Sequence, residues 1–122
     1  MFTKELEPGD DTVTVGVPFT YTLTIDNESV VPVTLTELID DNSGLSPDWE
    51  ANCAALEGSV LAPDGPGTAD EVSCTYTVER TTAGIYPNNA QATAVDANGR
   101  VATAQDDATV TVLSSEIEIV TE

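Results

Sequence analysis

Val17-Pro18-Phe19-Thr20-Tyr21-Thr22-Leu23-Thr24-Ile25-Asp26-Asn27 is the stretch whose reading decides the fold. Phe19, Tyr21, Leu23 and Ile25 alternate strictly with Thr20, Thr22, Thr24 and Asp26, which is the period of a strand buried on one face. Four large side chains on one face require an opposing apolar layer, and the chain supplies it in further alternating segments. Val31 to Ile39 forms one, with Val31, Val33 and Leu35 on one face. Its period breaks before Leu38, so a bulge or strand end is expected near Glu37. Glu71 to Glu79 places Val72, Cys74, Tyr76 and Val78 inward. Ile85 to Val95 aligns Ala90, Ala92 and Ala94, small residues that admit a close neighbour. Val101 to Val112 aligns Ala108, Val110 and Val112, with a break expected at Asp106-Asp107.

Before the central stretch, Phe2 to Leu6 reads as a short strand ended by the turn residues Glu7-Pro8-Gly9-Asp10. Thr12 to Val15 resumes the alternation, and Gly16 allows a bend, as in a first strand that passes from one sheet to another. Asp96-Ala97-Asn98-Gly99 is a hairpin signal, in which Asn-Gly would supply the positive φ angles of a primed turn. Asp40 to Pro66 is irregular, with Leu56, Val60 and Leu61 marking a short strand. Trp49 lies inside it and is expected to plug one end of the core. About seven strands at regular spacing predict an all-β, immunoglobulin-like two-sheet β-sandwich over 1–114. The segment 115–122 alternates once more at Ile117, Ile119 and Val120. It is expected to be an inter-unit strand, joining a following repeat or a neighbouring subunit.

Composition bounds the partners. Against 22 acidic residues stand 3 basic ones and no His, a formal net charge of −19. Such a surface repels phosphate backbones and anionic lipid, so neither nucleic acid nor a membrane surface is an expected partner. The chain has no apolar run long enough to span a bilayer and does not open on a signal-peptide pattern. Two conditions relieve this much self-repulsion: bound divalent cations, or a saline medium in which the Debye length falls to about 3 Å at 1 M. Carboxylates pair at Asp10-Asp11, Asp40-Asp41, Asp70-Glu71 and Asp106-Asp107. Calcium is the cation such pairs would take, with Asp10, Asp11, Asp40, Asp41, Asp106 and Asp107 as the candidate ligands, against the plainer reading of a solvated acidic face.

Cys53 and Cys74 are the only cysteines. An even pair in a Thr-, Val- and Ala-rich, Lys-poor chain of surface-protein character predicts a disulfide and an extracellular, cell-surface location. Asn27-Glu28-Ser29 is a glycosylation sequon in a predicted turn. For catalysis the chain lacks His, has one Lys, and has no set of aromatic platforms around a carboxylate pair. It is read as non-enzymatic.

The segments 13–27, Leu38-Ile39-Asp40, 72–78, Pro87-Asn88-Asn89-Ala90-Gln91-Ala92 and Ala108-Thr109-Val110-Thr111-Val112 together resemble the repeated β-sandwich module of bacterial and archaeal cell-surface proteins called domain of unknown function eleven. The resemblance implies a spacer in stalks, adhesins or envelope proteins, with neighbouring copies of the module as partners. It also implies a lysine in the first strand, where Lys4 stands. With Asn88 or Asn89 and a nearby carboxylate, Lys4 could form an intramolecular isopeptide bond, as in some Gram-positive surface domains. The aligned tail carries Thr121 at that place, so such a link would not recur along an array. The expected function is therefore a structural module, as a stalk repeat or a fibre subunit. The alternative is an adhesin that binds carbohydrate or protein through the Trp49 loop.

Overall fold

A computed structural model of the chain describes residues 1–67 and 69–114. Its strands are β1 (Phe2–Leu6), β2 (Thr12–Thr14), β3 (Phe19–Asp26), β4 (Val33–Asp40), β5 (Val60–Leu61), β6 (Glu71–Val78), β7 (Gly84–Asp96) and β8 (Val101–Leu113). One four-residue helix, α1 (Trp49–Asn52), lies between 3₁₀ turns at Ser43–Leu45 and Ala54–Leu56. The strands form two sheets, β1-β3-β6 and β2-β8-β7-β4-β5. This is the expected immunoglobulin-like sandwich, with eight strands rather than about seven.

Strand β3 is the middle of the smaller sheet. Phe19, Tyr21 and Leu23 are fully buried and Ile25 nearly so, each contributing roughly 1.5–3 kcal/mol of apolar burial. Its register sets Tyr21 opposite Tyr76 and Leu23 opposite Cys74, so the two tyrosine rings stack with centroids 5.3 Å apart. Across the sandwich, Leu35, Leu38, Ala90, Ala92, Val110 and Val112 face them. The small Ala90 and Ala92 leave room for the rings.

The first strand changes sheets as expected. β1 pairs antiparallel with β3, the chain turns at Glu7–Asp10, and β2 pairs parallel with β8. Gly16 takes φ +80°, and its N–H reaches the Arg80 carbonyl at 2.8 Å. A left-handed residue is needed there to bring the chain from β2 back to β3. The β4–β7 register shifts between Leu35 and Glu37, the bulge anticipated from the broken period.

Three expectations are corrected. β8 does not break at Asp106-Asp107, since its pairing with β7 runs from Val101 to Val112 without a shift. The β7–β8 turn is not primed, because among the described residues only glycines have positive φ. It is a type I-like turn in which Gly99 N–H bonds the Asp96 carbonyl and Gly99 alone is left-handed, with the Asp96 carboxylate accepting from the Asn98 and Arg100 N–H groups. Finally, the irregular segment holds a helical turn, with Trp49 at its start.

The ends of the sandwich can be placed by register. Met1 lies beside Asp26, and Phe2 pairs with Ile25, at the pole that carries the β7–β8 turn. Leu113 pairs with Thr14 at the opposite pole, where Gly16 meets Arg80. The segment 115–122, with Ile117, Ile119 and Val120, lies outside the described residues.

Candidate functional site

A lysine in a chain this acidic would be expected at the surface, yet Lys4 is 3% exposed. Strand alternation on β1 turns Phe2 and Lys4 to the same inward face. The Lys4 ammonium donates to Asp40 Oδ2 at 2.5 Å and to the Tyr76 hydroxyl at 2.5 Å. It lies 4.1 Å from the centre of the Tyr21 ring, within cation–π range. Tyr76 donates in turn to Asp40, and Asn88 Nδ2 donates to the Tyr76 oxygen at 3.1 Å. Asp40 Oδ1 accepts the Asn42 N–H at 2.8 Å, which orients the carboxylate.

These four residues come from both sheets: Lys4 on β1 and Tyr76 on β6, Asp40 on β4 and Asn88 on β7. Asp40 pairs with Ala90, two residues from Asn88, so both side chains leave the same face as diagonal neighbours. Trp49 closes the cluster from α1, its ring meeting Tyr76 edge-on at 5.0 Å. The Asn88 carbonyl oxygen is buried without a hydrogen-bond partner, and the Asn88 side chain lies beside the Tyr21 hydroxyl.

Burial governs the electrostatics. Loss of solvent pulls the Lys4 ammonium below its usual range, with Asp40 opposing the shift. Loss of solvent, then the Asp40 hydrogen bond, pushes the Tyr76 phenol far up, and burial also raises Tyr21. A phenol whose folded pKa lies above its unfolded value of about 10 supports the fold fully below pH 10 and loses that support as pH rises further. Alkaline titration is therefore expected to show phenolate absorbance from Tyr21 and Tyr76 appearing together with loss of the β-sheet circular dichroism. Ionisation of both in a folded chain would contradict the burial argument.

The disulfide expected between Cys53 and Cys74 is present, with Cα atoms 5.3 Å apart. It pins the end of α1 to β6, two residues from Tyr76 and on the same face.

The carboxylates read as calcium ligands are not gathered into a site. Asp10 accepts the Thr20 N–H, Asp41 the Asn89 N–H and Asp106 the Lys4 N–H, while Asp40 is in the buried cluster. Among the described residues, Asp11 and Asp107 belong to no converging group of three carboxylates. Among the described residues the three that converge are Asp26, Asp64 and Asp70, with oxygens within 4.8 Å of one another. Asp64 is held above the usual carboxylate range, chiefly by its hydrogen bond to Asp70. Proximity brought about by the β3–β6 register made this group, and no spacing in the sequence signals it.

Asn27, the asparagine of the sequon, lies inside the fold rather than at the surface of a turn. Asn27 is 5% exposed, and its Nδ2 donates to Val31 O at 2.9 Å and Ala62 O at 2.8 Å. Its Oδ1 accepts from the Ser29 backbone and hydroxyl. The amide nitrogen that would carry a glycan is committed inside the fold. Asn27→Ala is expected to destabilise the domain by roughly 1–3 kcal/mol, the cost of orphaning buried partners, as read by chemical denaturation.

Trp49 is 5% exposed, the plug that its position in the loop suggested. Sequence reasoning missed Tyr76 and Asp40 as partners of Lys4, taking one as core and the other as a metal ligand. The available signal was the isolation of a single Lys at an inward strand position. No protein-family model matches the chain, and no curated protein is significantly similar to it.

Proposed function

We propose that this chain is a non-enzymatic structural module of an extracellular surface protein, strung end to end with copies of itself as a stalk repeat or as a fibre subunit. The observation that carries the reading is the distribution of exposed apolar side chains. Met1, Val30, Val60 and Val101 are exposed at one pole, and Val17, Ile85 and Leu113 at the other. The flanks between them carry mainly threonines and carboxylates, although Ile39 on β4 and Leu45 in the first 3₁₀ turn are exposed as well. Chain entry and exit at opposite poles suit serial connection, and apolar ends suit contact between successive units. An apolar cleft of about 250 Å³ opens at the Met1 pole, lined by Phe2, Ile25, Leu61, Ala92 and Ala104 among others, and suits contact with an apolar surface of a neighbouring unit. The disulfide is in keeping with an oxidising compartment, and the likeness to domain of unknown function eleven supports the same role.

Electron microscopy of the source material labelled with an antibody to the module tests this. Bead-like stalks or filaments are expected; label confined to dispersed single particles would sink the proposal. The adhesin reading through Trp49 is disfavoured by the burial of that ring. Its fluorescence is expected to be blue-shifted, resistant to quenchers and unchanged by glycans, and an exposed, glycan-responsive signal would restore the adhesin.

A further inference from the structure

We propose that Lys4 and Asn88 are joined by an intramolecular isopeptide bond, formed with Asp40 as proton carrier, that ties the smaller sheet to the larger through the core. This holds whatever the module is attached to.

Three features carry it. First, amine and amide are brought to the same atom: Lys4 Nζ and Asn88 Nδ2 both hydrogen-bond the Tyr76 hydroxyl, at 2.5 and 3.1 Å. Held neighbours react with effective concentrations far above those in solution. Second, the carboxylate that must move the proton already holds the amine at 2.5 Å, and neither side chain has any exposed surface. A desolvated lysine is an activated nucleophile, and exclusion of water suppresses the competing hydrolysis of the amide. Third, the Asn88 carbonyl oxygen is unpartnered in a residue only 1% exposed. A merely structural ion pair gives no reason to bury an amide beside it with half its hydrogen-bonding capacity unused.

The reaction balances without a co-reactant. Lys4 passes one proton to Asp40, and the neutral Nζ attacks Asn88 Cγ, placing negative charge on Oδ1 in the tetrahedral intermediate. A second proton moves from Nζ to Nδ2, the Cγ–Nδ2 bond breaks, and ammonia leaves. The products are a secondary amide and a neutral Asp40 acid, with no change of oxidation state. A buried charge pair is replaced by neutral groups, which removes the desolvation cost of both ions.

The experiment is intact-mass measurement of the reduced, denatured protein, followed by digestion with trypsin. Reduction restores the disulfide hydrogens, so the expected deficit against the sequence mass is one ammonia. Lys4, Arg80 and Arg100 are the only tryptic positions. The expected digest joins residues 1–80 to 81–100, with Lys4 uncut. Asn88→Ala should restore the full calculated mass and cleavage after Lys4. A full-mass wild-type chain overturns the proposal. So does a lost ammonia with Lys4 cleaved, which would place the loss elsewhere, as at Asn98-Gly99. If Asp40→Asn folds by circular dichroism it should carry the full mass, and a persisting link there overturns the role of Asp40. Should the variants fail to fold, the wild-type digest alone decides.

Discussion

Lys4→Ala is expected to lower the unfolding free energy by at least about 3–5 kcal/mol, because it removes the tie to Asn88 and leaves the Asp40 carboxylate buried with no partner cation. The pair has no solvent-exposed side-chain surface, so water cannot replace the lost ammonium without opening the core. Asp40→Ala should cost a similar amount by orphaning the ammonium. It also removes an acceptor from Tyr76 and from the Asn42 N–H. The joint replacement Lys4→Met with Asp40→Leu removes the unpaired charge and should regain part of the loss. It should not regain the share contributed by a covalent Lys4–Asn88 link. Denaturant unfolding of the three variants beside wild type measures each step. A Lys4→Ala chain within 1 kcal/mol of wild type would show that the cluster is not holding the sheets together.

Loss of the Cys53–Cys74 bond is expected to cost roughly 3 kcal/mol, the loop-closure entropy for a 21-residue separation in the unfolded chain. For a domain of this size that corresponds to a fall in melting temperature of roughly 10 °C. The effect should be local as well as global. Cys53 ends the helix that begins at Trp49, and Cys74 stands two residues from Tyr76, against whose ring Trp49 packs. Reduction therefore releases the lid of the Lys4 cluster, and Trp49 emission should shift to the red well below the main unfolding transition. Thermal melts of wild type with and without reductant, and of Cys53→Ala with Cys74→Ala, check both parts. An unchanged melting temperature would mean that packing of α1 alone retains the lid.

The acidic surface gives these losses unusual weight. Lys4 is buried, Arg80 lies over the Tyr86 ring and donates to Asn42, and Arg100 is paired with Asp96. The carboxylates thus have little surface cation to balance them. Self-repulsion then presses on every weakened joint between the sheets.

Much of the architecture was legible in the chain. Phe19, Tyr21, Leu23 and Ile25 recur at the spacing that buries one strand face, and the step from Leu35 to Leu38 breaks that spacing where the β4 bulge occurs. The paired cysteines and the turn residues around Gly16 were equally readable, since backbone period and turn stereochemistry are properties of neighbouring residues. Other features were not. The Asp106-Asp107 pair looked like a strand break because two adjacent carboxylates are poor strand formers, but β1 supplies the Lys4 N–H that Asp106 accepts. Asn27 looked like a surface turn residue, and only the return of the chain at Val31 and Ala62 encloses it.

By itself, then, the order of residues determined that this chain makes two sheets with a staple between cysteines, because alternation and turn chemistry act over a few positions. Which carboxylate meets the lone lysine, and which of two adjacent asparagines faces it, depended on strands distant in sequence. Asp40, Tyr76 and Asn88 converge on Lys4 only when β4, β6 and β7 are set across from β1. Interactions over such separations are decided by packing of the two layers rather than by any local preference.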